Sequence, residues 1–146
     1  FDGLVIGVNS YTTLVPLGSI ATFMGIPLSH LLSEGELEDA IAQTKVGGAT
    51  LTKLLGTSAW YAPGAAAGEL VKSIITDGKT LFPCCVYLEG EYGENDLCIG
   101  VPVILGADGV EKIVELKLDG VEKDRFAESV AAARNTQNNL GDALKK

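Results

Sequence analysis

Tyr87-Leu88-Glu89-Gly90-Glu91-Tyr92-Gly93 leads, through an acidic turn, into Gly100-Val101-Pro102-Val103-Ile104-Leu105-Gly106-Ala107-Asp108-Gly109-Val110-Glu111-Lys112-Ile113, and the periodicity around these two runs decides the fold. Residues 81–88 and 97–105 are short apolar runs bounded by Gly, Asn and Asp, which predicts two strands with residues 89–96 as the turn between them. Pro102 lies inside the second run. Proline has no N–H for a ladder, so an edge strand or a bulge is predicted there. Ala107-Asp108-Gly109 is a hairpin signal. Beyond it, residues 110–118 set Val110, Ile113, Val114, Leu116 and Leu118 against Glu111, Glu115 and Lys117, which predicts a strand antiparallel to 97–105.

Outward from this hairpin the period changes to that of helices. After Asp119-Gly120, Phe126, Val130, Ala133 and Leu140 mark an amphipathic helix whose polar face carries Glu122, Lys123, Asp124, Glu128 and Arg134, a partly solvated side. Upstream, Ala66, Leu70, Val71, Ile74 and Ile75 form a stripe that Asp77-Gly78 stops. Pro63 suits the first turn of that helix, and Gly64-Ala65-Ala66-Ala67-Gly68 permits close packing. Ser33-Glu34-Gly35-Glu36 has the spacing of a capping box, opening a helix that carries Leu37, Ala40 and Ile41. Gly47-Gly48 is predicted to break or bend it before residues 49–55. Residues 3–8 read as a strand and 9–13 as a polar cluster. Pro16 opens an apolar segment to Met24, either a buried helix or an extended run, and Gly25-Ile26-Pro27 punctuates the chain.

The chain has 146 residues, enough for one domain with a real core. Lys plus Arg number 11 against 19 Asp plus Glu, a net charge of −8, and an acidic surface without clustered cations does not suit phosphate backbones. Apolar residues make up 47%, yet no run reaches the roughly 18–20 residues of a membrane span. The surplus fits a core plus a buried interface, or equally a tight core rich in Ala and Gly. Cys84, Cys85 and Cys98 are odd in number, with no CxxC and a single histidine. That excludes a Cys/His zinc site and suggests buried, reduced thiols in a cytoplasmic or cytoplasm-facing setting. The chain opens on Phe1 rather than Met, which is the expectation for a piece of a longer product.

Val15-Pro16-Leu17, Gly25-Ile26-Pro27, Gly47-Gly48-Ala49, Leu54-Leu55-Gly56-Thr57 and Tyr61-Ala62-Pro63 occur in that order ahead of the two runs quoted first. Together they resemble the C-terminal, substrate-side domain of the lactate/malate dehydrogenase family, bacterial malate dehydrogenase type. The likeness extends from about Leu4 to Leu140. It implies an α+β fold, a twisted antiparallel sheet packed with long helices, over a single domain of residues 1–146.

In that family a separate half carries the Gly-rich phosphate loop and the arginines that reach substrate. This chain has no strand–GxGxxG–helix, so no nucleotide-binding domain, NAD binding or other cofactor is expected of it. The substrate-side half normally supplies a proton-relaying histidine in a G-H-G-D-T-M-V-P-L motif. Aligned back from Val15-Pro16-Leu17, Ser10 falls at the histidine and Thr12 at the aspartate. The loss matters because hydride transfer to a carbonyl leaves an alkoxide, which an imidazole titrating near neutrality can protonate reversibly; the hydroxyls of Ser10 and Tyr11 have far higher pKa values, and Tyr11 would donate only if strongly perturbed. The only imidazole is His30, about 20 residues on, at a position the pattern gives to a surface helix. Arg125 and Arg134 lie on the final amphipathic helix and read as solvated residues rather than carboxylate forks. Ser58 matches a family position near substrate, in a loop (residues 56–63) one residue shorter than the family pattern. Thr57 and Ser58 serve equally well as caps for the next helix. Glu89 and Glu91 belong to a structural strand and turn. Glu94 and Asp96 fit a weak cation site or a solvated turn equally.

Three functional readings follow. The preferred one is a non-catalytic binding, scaffolding or oligomerisation module of a larger protein, not an enzyme, without metal or cofactor, working as a homo-oligomer or with a protein partner. The second is the excised substrate-side half of an NAD-dependent malate or 2-hydroxy-acid dehydrogenase. The third is an enzyme of altered chemistry using the Tyr11 hydroxyl.

Overall fold

The computed structural model describes residues 1–10 and 12–144, with side chains as far as residue 140. Strands β1 (Val5–Gly7) and β2 (Leu14–Pro16) are followed by a 3-10 turn at Gly18–Ile20 and a small hairpin, β3 (Thr22–Phe23) with β4 (Ile26–Pro27). The apolar segment from Pro16 to Met24 is thus extended rather than helical, and Gly25 (φ 80°) makes its turn. Helices α1 (Glu34–Leu55) and α2 (Tyr61–Ile75) come next, then β5 (Thr80–Glu89), β6 (Asn95–Gly106), β7 (Gly109–Ile113) and α3 (Gly120–Leu144). The main sheet runs β2-β1-β6-β5, with β7 also against β6, and every pairing is antiparallel. The domain is α+β, as the family resemblance implies.

One face of the sheet makes the core. Ile6, Val15, Leu88, Leu97, Ile99, Val101 and Val103 pack against Phe126, Val130 and Ala133 of α3. Leu140, assigned to the same stripe, is 59% exposed, because α3 runs past the end of the sheet.

Pro102 sits neither on an edge strand nor in a bulge. It pairs directly with Pro83 in an unbroken part of the β5–β6 register. Its carbonyl accepts from Val114 N–H at 2.9 Å on the other flank of β6, so its nitrogen also points away from β5. That flank is shared by β1 at Gly100 and β7 from Val103 onward, and Pro102 falls between them. The strand predicted over 110–118 ends at Ile113. Tyr92 takes over the polar groups beyond it: its hydroxyl donates to Val114 O (2.8 Å) and accepts from Leu116 N–H (3.1 Å), with its ring against Phe126.

The Ser33 capping box forms: Ser33 Oγ accepts from Glu36 N–H, and Glu36 accepts from Ser33 N–H at 2.9 Å. Gly47 and Gly48 do not interrupt α1, which runs 22 residues to a left-handed Gly56. Two interior glycines cost about 0.5–1 kcal/mol each, and cap and length offset them. Thr57 and Ser58 do not cap α2, whose N-cap is Trp60 without a side-chain bond. Glu122, placed on a solvated face, is buried and forms part of a second capping box with Asp119. It also accepts from Ser19 N–H (3.0 Å) and Ser19 Oγ–H (2.8 Å). Cys84 is half-buried, but Cys85 and Cys98 are exposed on the outer face of the sheet, contrary to the expectation of buried thiols. Partial burial pushes the Cys84 and Cys85 thiols up. No helix among the described residues is long and apolar enough to cross a membrane.

Candidate functional site

β1 delivers the chain to the site. Its last residue, Gly7, has φ 89°, and a Cβ there would lie 2.5 Å from Ser129 Oγ. Ser129, fully buried in α3, accepts from Val8 N–H at 2.7 Å. The loop then closes on itself. Ser10 N–H donates to Val8 O (2.8 Å), and Leu14 N–H donates to Ser10 O (3.0 Å). The Ser10 and Thr13 hydroxyls share a 2.6 Å hydrogen bond.

This loop meets α1 and the start of α2 around an open cavity of about 730 Å³, within the range of small-molecule sites. Asn9, Ser10 and Leu14 line it from the loop, Thr44, Lys45, Gly48 and Thr52 from α1, and Ser58 and Trp60 from the next turn. Ser10 and Ser58, 48 positions apart, therefore share one cavity. Sequence reasoning missed Lys45, Thr44 and Thr52. The signal was present: Thr44, Gly48 and Thr52 recur every four residues, a polar and small stripe on one helix face.

Chemically, the described residues of the lining hold hydroxyls, one amide, the Trp60 indole and one ammonium, with no imidazole or carboxylate among them. Such a set can hold an anion by hydrogen bonds and charge. It contains no group that exchanges a proton near neutral pH. Tyr11 lies outside the described residues. His30 is exposed, in a 3-10 turn at Leu28–His30 away from the cavity rather than on a helix.

The other candidates are committed elsewhere. Arg125 pairs with Glu38 of α1 at 2.8 Å, and Arg134 pairs with Glu94 and donates to Asn95 O at 3.0 Å. Both arginines tie α3 to other elements, where solvated positions were expected. Glu91 accepts from Glu89 N–H at 2.8 Å, and that bond holds its carboxyl below the usual range. Asp96 accepts from the Tyr87 hydroxyl at 3.1 Å. Among the described residues no three His, Cys, Asp or Glu side chains gather as a metal site.

The family model for the lactate/malate dehydrogenase, alpha/beta C-terminal domain matches residues 4–142. This chain belongs to that family. It is 60% identical over 139 residues to the malate dehydrogenase of Parabacteroides distasonis, covering 95% of this chain and 44% of the relative. With that of Bacteroides fragilis it is 62% identical over 135 residues, covering 92% and 43%. The solved malate dehydrogenase of Salinibacter ruber superposes with a TM-score of 0.93 at 41% identity, over 99% of this chain and 47% of that one. A lactate dehydrogenase of Eimeria maxima, solved with NADH and oxamate, superposes with a TM-score of 0.91 at 34% identity, over 97% and 46%. The chain thus spans less than half the length of the relatives it matches.

As a C-terminal domain of this family it leaves much of its helical surface uncovered. Ser73 is the buried residue of α2 and its hydroxyl donates to Leu105 O at 2.8 Å, while most of the apolar stripe lies uncovered. Val71 and Ile75 are exposed, as are Leu54 and Leu55 at the end of α1 and Trp60 and Tyr61 at the start of α2.

Proposed function

We propose that this chain is the substrate-side half of a malate-dehydrogenase-type protein, and that its cavity receives a small 2-oxo or 2-hydroxy acid when a nucleotide-binding half closes over it. The observation that carries the reading is the convergence of Ser10 and Ser58, the two positions the family pattern places beside substrate, on one hydroxyl-lined cavity. Trp60 and the partly exposed Leu51 line that cavity, and the other uncovered apolar residues of α1 and α2 supply further contact surface for the second half, or for a second copy of the chain.

NAD does not fit the residues present. Dinucleotide cradles need a parallel strand, a glycine turn and a helix N-terminus in sequence. Here every strand pairing among the described residues is antiparallel, and β1 runs into a loop rather than a helix. Any cofactor step therefore depends on the other half.

A second reading, a binding or scaffolding module without catalysis, is favoured by one specific observation. The Ser10 hydroxyl, which the family pattern aligns with the relay histidine, is bonded to Thr13. One experiment separates the two. The chain is mixed with the nucleotide-binding half of the Parabacteroides distasonis relative, and NADH oxidation with oxaloacetate is followed beside sedimentation of the mixture. A complex with no turnover, in which Ser10→His gains about 100-fold or more, identifies a substrate half that has lost its proton relay. Turnover with Ser10 in place identifies a working dehydrogenase half. Failure of the halves to associate overturns the proposal.

A further inference from the structure

We propose that Cys85 and Cys98, on the outer face of the β5–β6 pair, form a two-thiolate site that holds a single soft, two-coordinate cation of the copper(I) class. The inference stands apart from the cavity and from the dehydrogenase reading, and it uses the two thiols that neither absorbs.

The placement follows from the register. Pro83 and Pro102 face each other across β5 and β6, and neither has an N–H to exchange, so theirs is a rung without hydrogen bonds between the two strands. Rungs of this kind recur every second residue, which makes Cys85–Gly100 and Tyr87–Cys98 the next two. Side chains on such rungs stand closest, and these positions share the outer face. Cys85 and Cys98 are therefore diagonal neighbours on consecutive rungs. The right-handed twist of paired strands draws together this diagonal, from a residue on the first strand to the one two before its partner, and opens the other. Both thiols are exposed, whereas Cys84 packs against the core.

The reach of the pair decides what it can hold. Diagonal neighbours lie about 7–8 Å apart at Cα and somewhat closer at Cβ. A disulfide needs Cβ atoms about 3.5–4.5 Å apart, so the two sulfurs do not close on each other with the backbone at rest. A cation between them adds two metal–sulfur bonds of about 2.3 Å, and a linear S–metal–S bridge spans the gap. Two thiolates in line suit a soft monovalent ion. A structural zinc needs four ligands, and among the described residues no third His, Cys, Asp or Glu side chain completes such a set.

The surroundings favour a cation over a reactive thiolate. Burial first, and then the neighbouring Cys98, push the Cys85 thiol up, opposite to what a redox nucleophile needs. Tyr87, beside Cys98 on its rung, gives its hydroxyl to the Asp96 carboxylate at 3.1 Å, and Glu89 follows on the same strand. Gly100 has no side chain, and a Cβ there would lie 2.6 Å from Gly7 O, so nothing caps the Cys85 thiol from its own rung. On binding, each thiol releases its proton to solvent and the two thiolates share one positive charge.

The test titrates the reduced 146-residue chain with copper(I), without oxygen, against bicinchoninate, whose coloured complex reports the copper it keeps. Intact mass counts the ions bound, sedimentation follows the assembly, and thermal unfolding confirms that each variant is folded. One ion per chain is expected to leave the chelator, with no change in sedimentation. Cys85→Ser and Cys98→Ser should each lose that ion, and Cys84→Ala should keep it. Two ions per chain, one lost with each serine variant, would show two independent thiols and overturn the pairing. Retention of the ion by either serine variant, or an ion held only between two chains, overturns it as well. Copper left wholly with the chelator by the wild-type chain removes the site altogether.

Discussion

Replacing Ser129 by alanine removes one oxygen from a place where nothing can substitute for it. Ser129 Oγ accepts the Val8 amide at 2.7 Å inside the contact of α3 with β1. The surroundings are full: a Cβ on Gly7 would lie 2.5 Å from that oxygen and 2.7 Å from Thr13 O, and one on Gly100 would lie 2.6 Å from Gly7 O. Removing a single hydroxyl opens less room than a water needs with its own partners. The Val8 N–H, half-buried beside the fully buried Ser129, is then left unpaired, which costs about 1–3 kcal/mol, and the tightness of the site argues for about 2 kcal/mol. For a chain of this length that corresponds to a fall in Tm of about 6–8 °C. The assay is urea and thermal unfolding of Ser129→Ala beside wild type, with amide exchange at Val8 read in parallel. Faster exchange at Val8 and Ser10, with β5–β6 amides shifted only by the global loss, places the damage at the loop that carries the cavity wall. A Tm within about 2 °C of wild type would refute the reasoning, because it would mean that the Val8 amide had found another partner.

Three further outcomes follow from the same kind of accounting. Glu122→Ala leaves the Ser19 N–H, Ser19 hydroxyl and Asp119 N–H without their acceptor and should cost about 3 kcal/mol in urea unfolding; a loss under about 1 kcal/mol would count against a structural role for that buried carboxylate. Ser33→Ala removes the capping oxygen of α1 and should cost about 1 kcal/mol, measured as a lower Tm with the helical signal of the folded state retained. The Asp77 carboxyl is held below its ordinary value of 3.8, first by the Ala107 N–H and then by Lys79. Its contribution is therefore fully present above that value and is lost as the pH falls through the lower folded value. Asp77→Asn should be less stable than wild type near neutrality, with the gap closing in acid; a gap that stays constant between about pH 6 and about pH 2 would contradict this.

How much was legible in the sequence depends on whether a signal was local. The Ser33 cap, the Ala107-Asp108 hairpin and the two strands it joins needed only neighbours in the chain, and the structure has them, although the second strand ends at Ile113. Gly47-Gly48 misled because propensity is a weak prior: a capped helix of 22 residues absorbs two glycines, and one of them turns out to keep the cavity floor open. Pro102 misled because its cost depends on which flank its nitrogen faces, which only the pairing of β1 and β7 decides.

The α2 stripe teaches the opposite lesson. Its spacing correctly announced a helix, yet Ile75 is 78% exposed, since periodicity shows that a face needs covering and not what covers it. For the cavity, Ser10 and Ser58 could be set side by side only through the family pattern. The face of α1 that lines the cavity was marked in the sequence without it, by Thr44, Gly48 and Thr52 at four-residue spacing. The partners of Arg125 and Arg134 lie on other elements, Glu38 on α1 and Glu94 in the turn before β6, so the ties they make across the fold are invisible in the sequence.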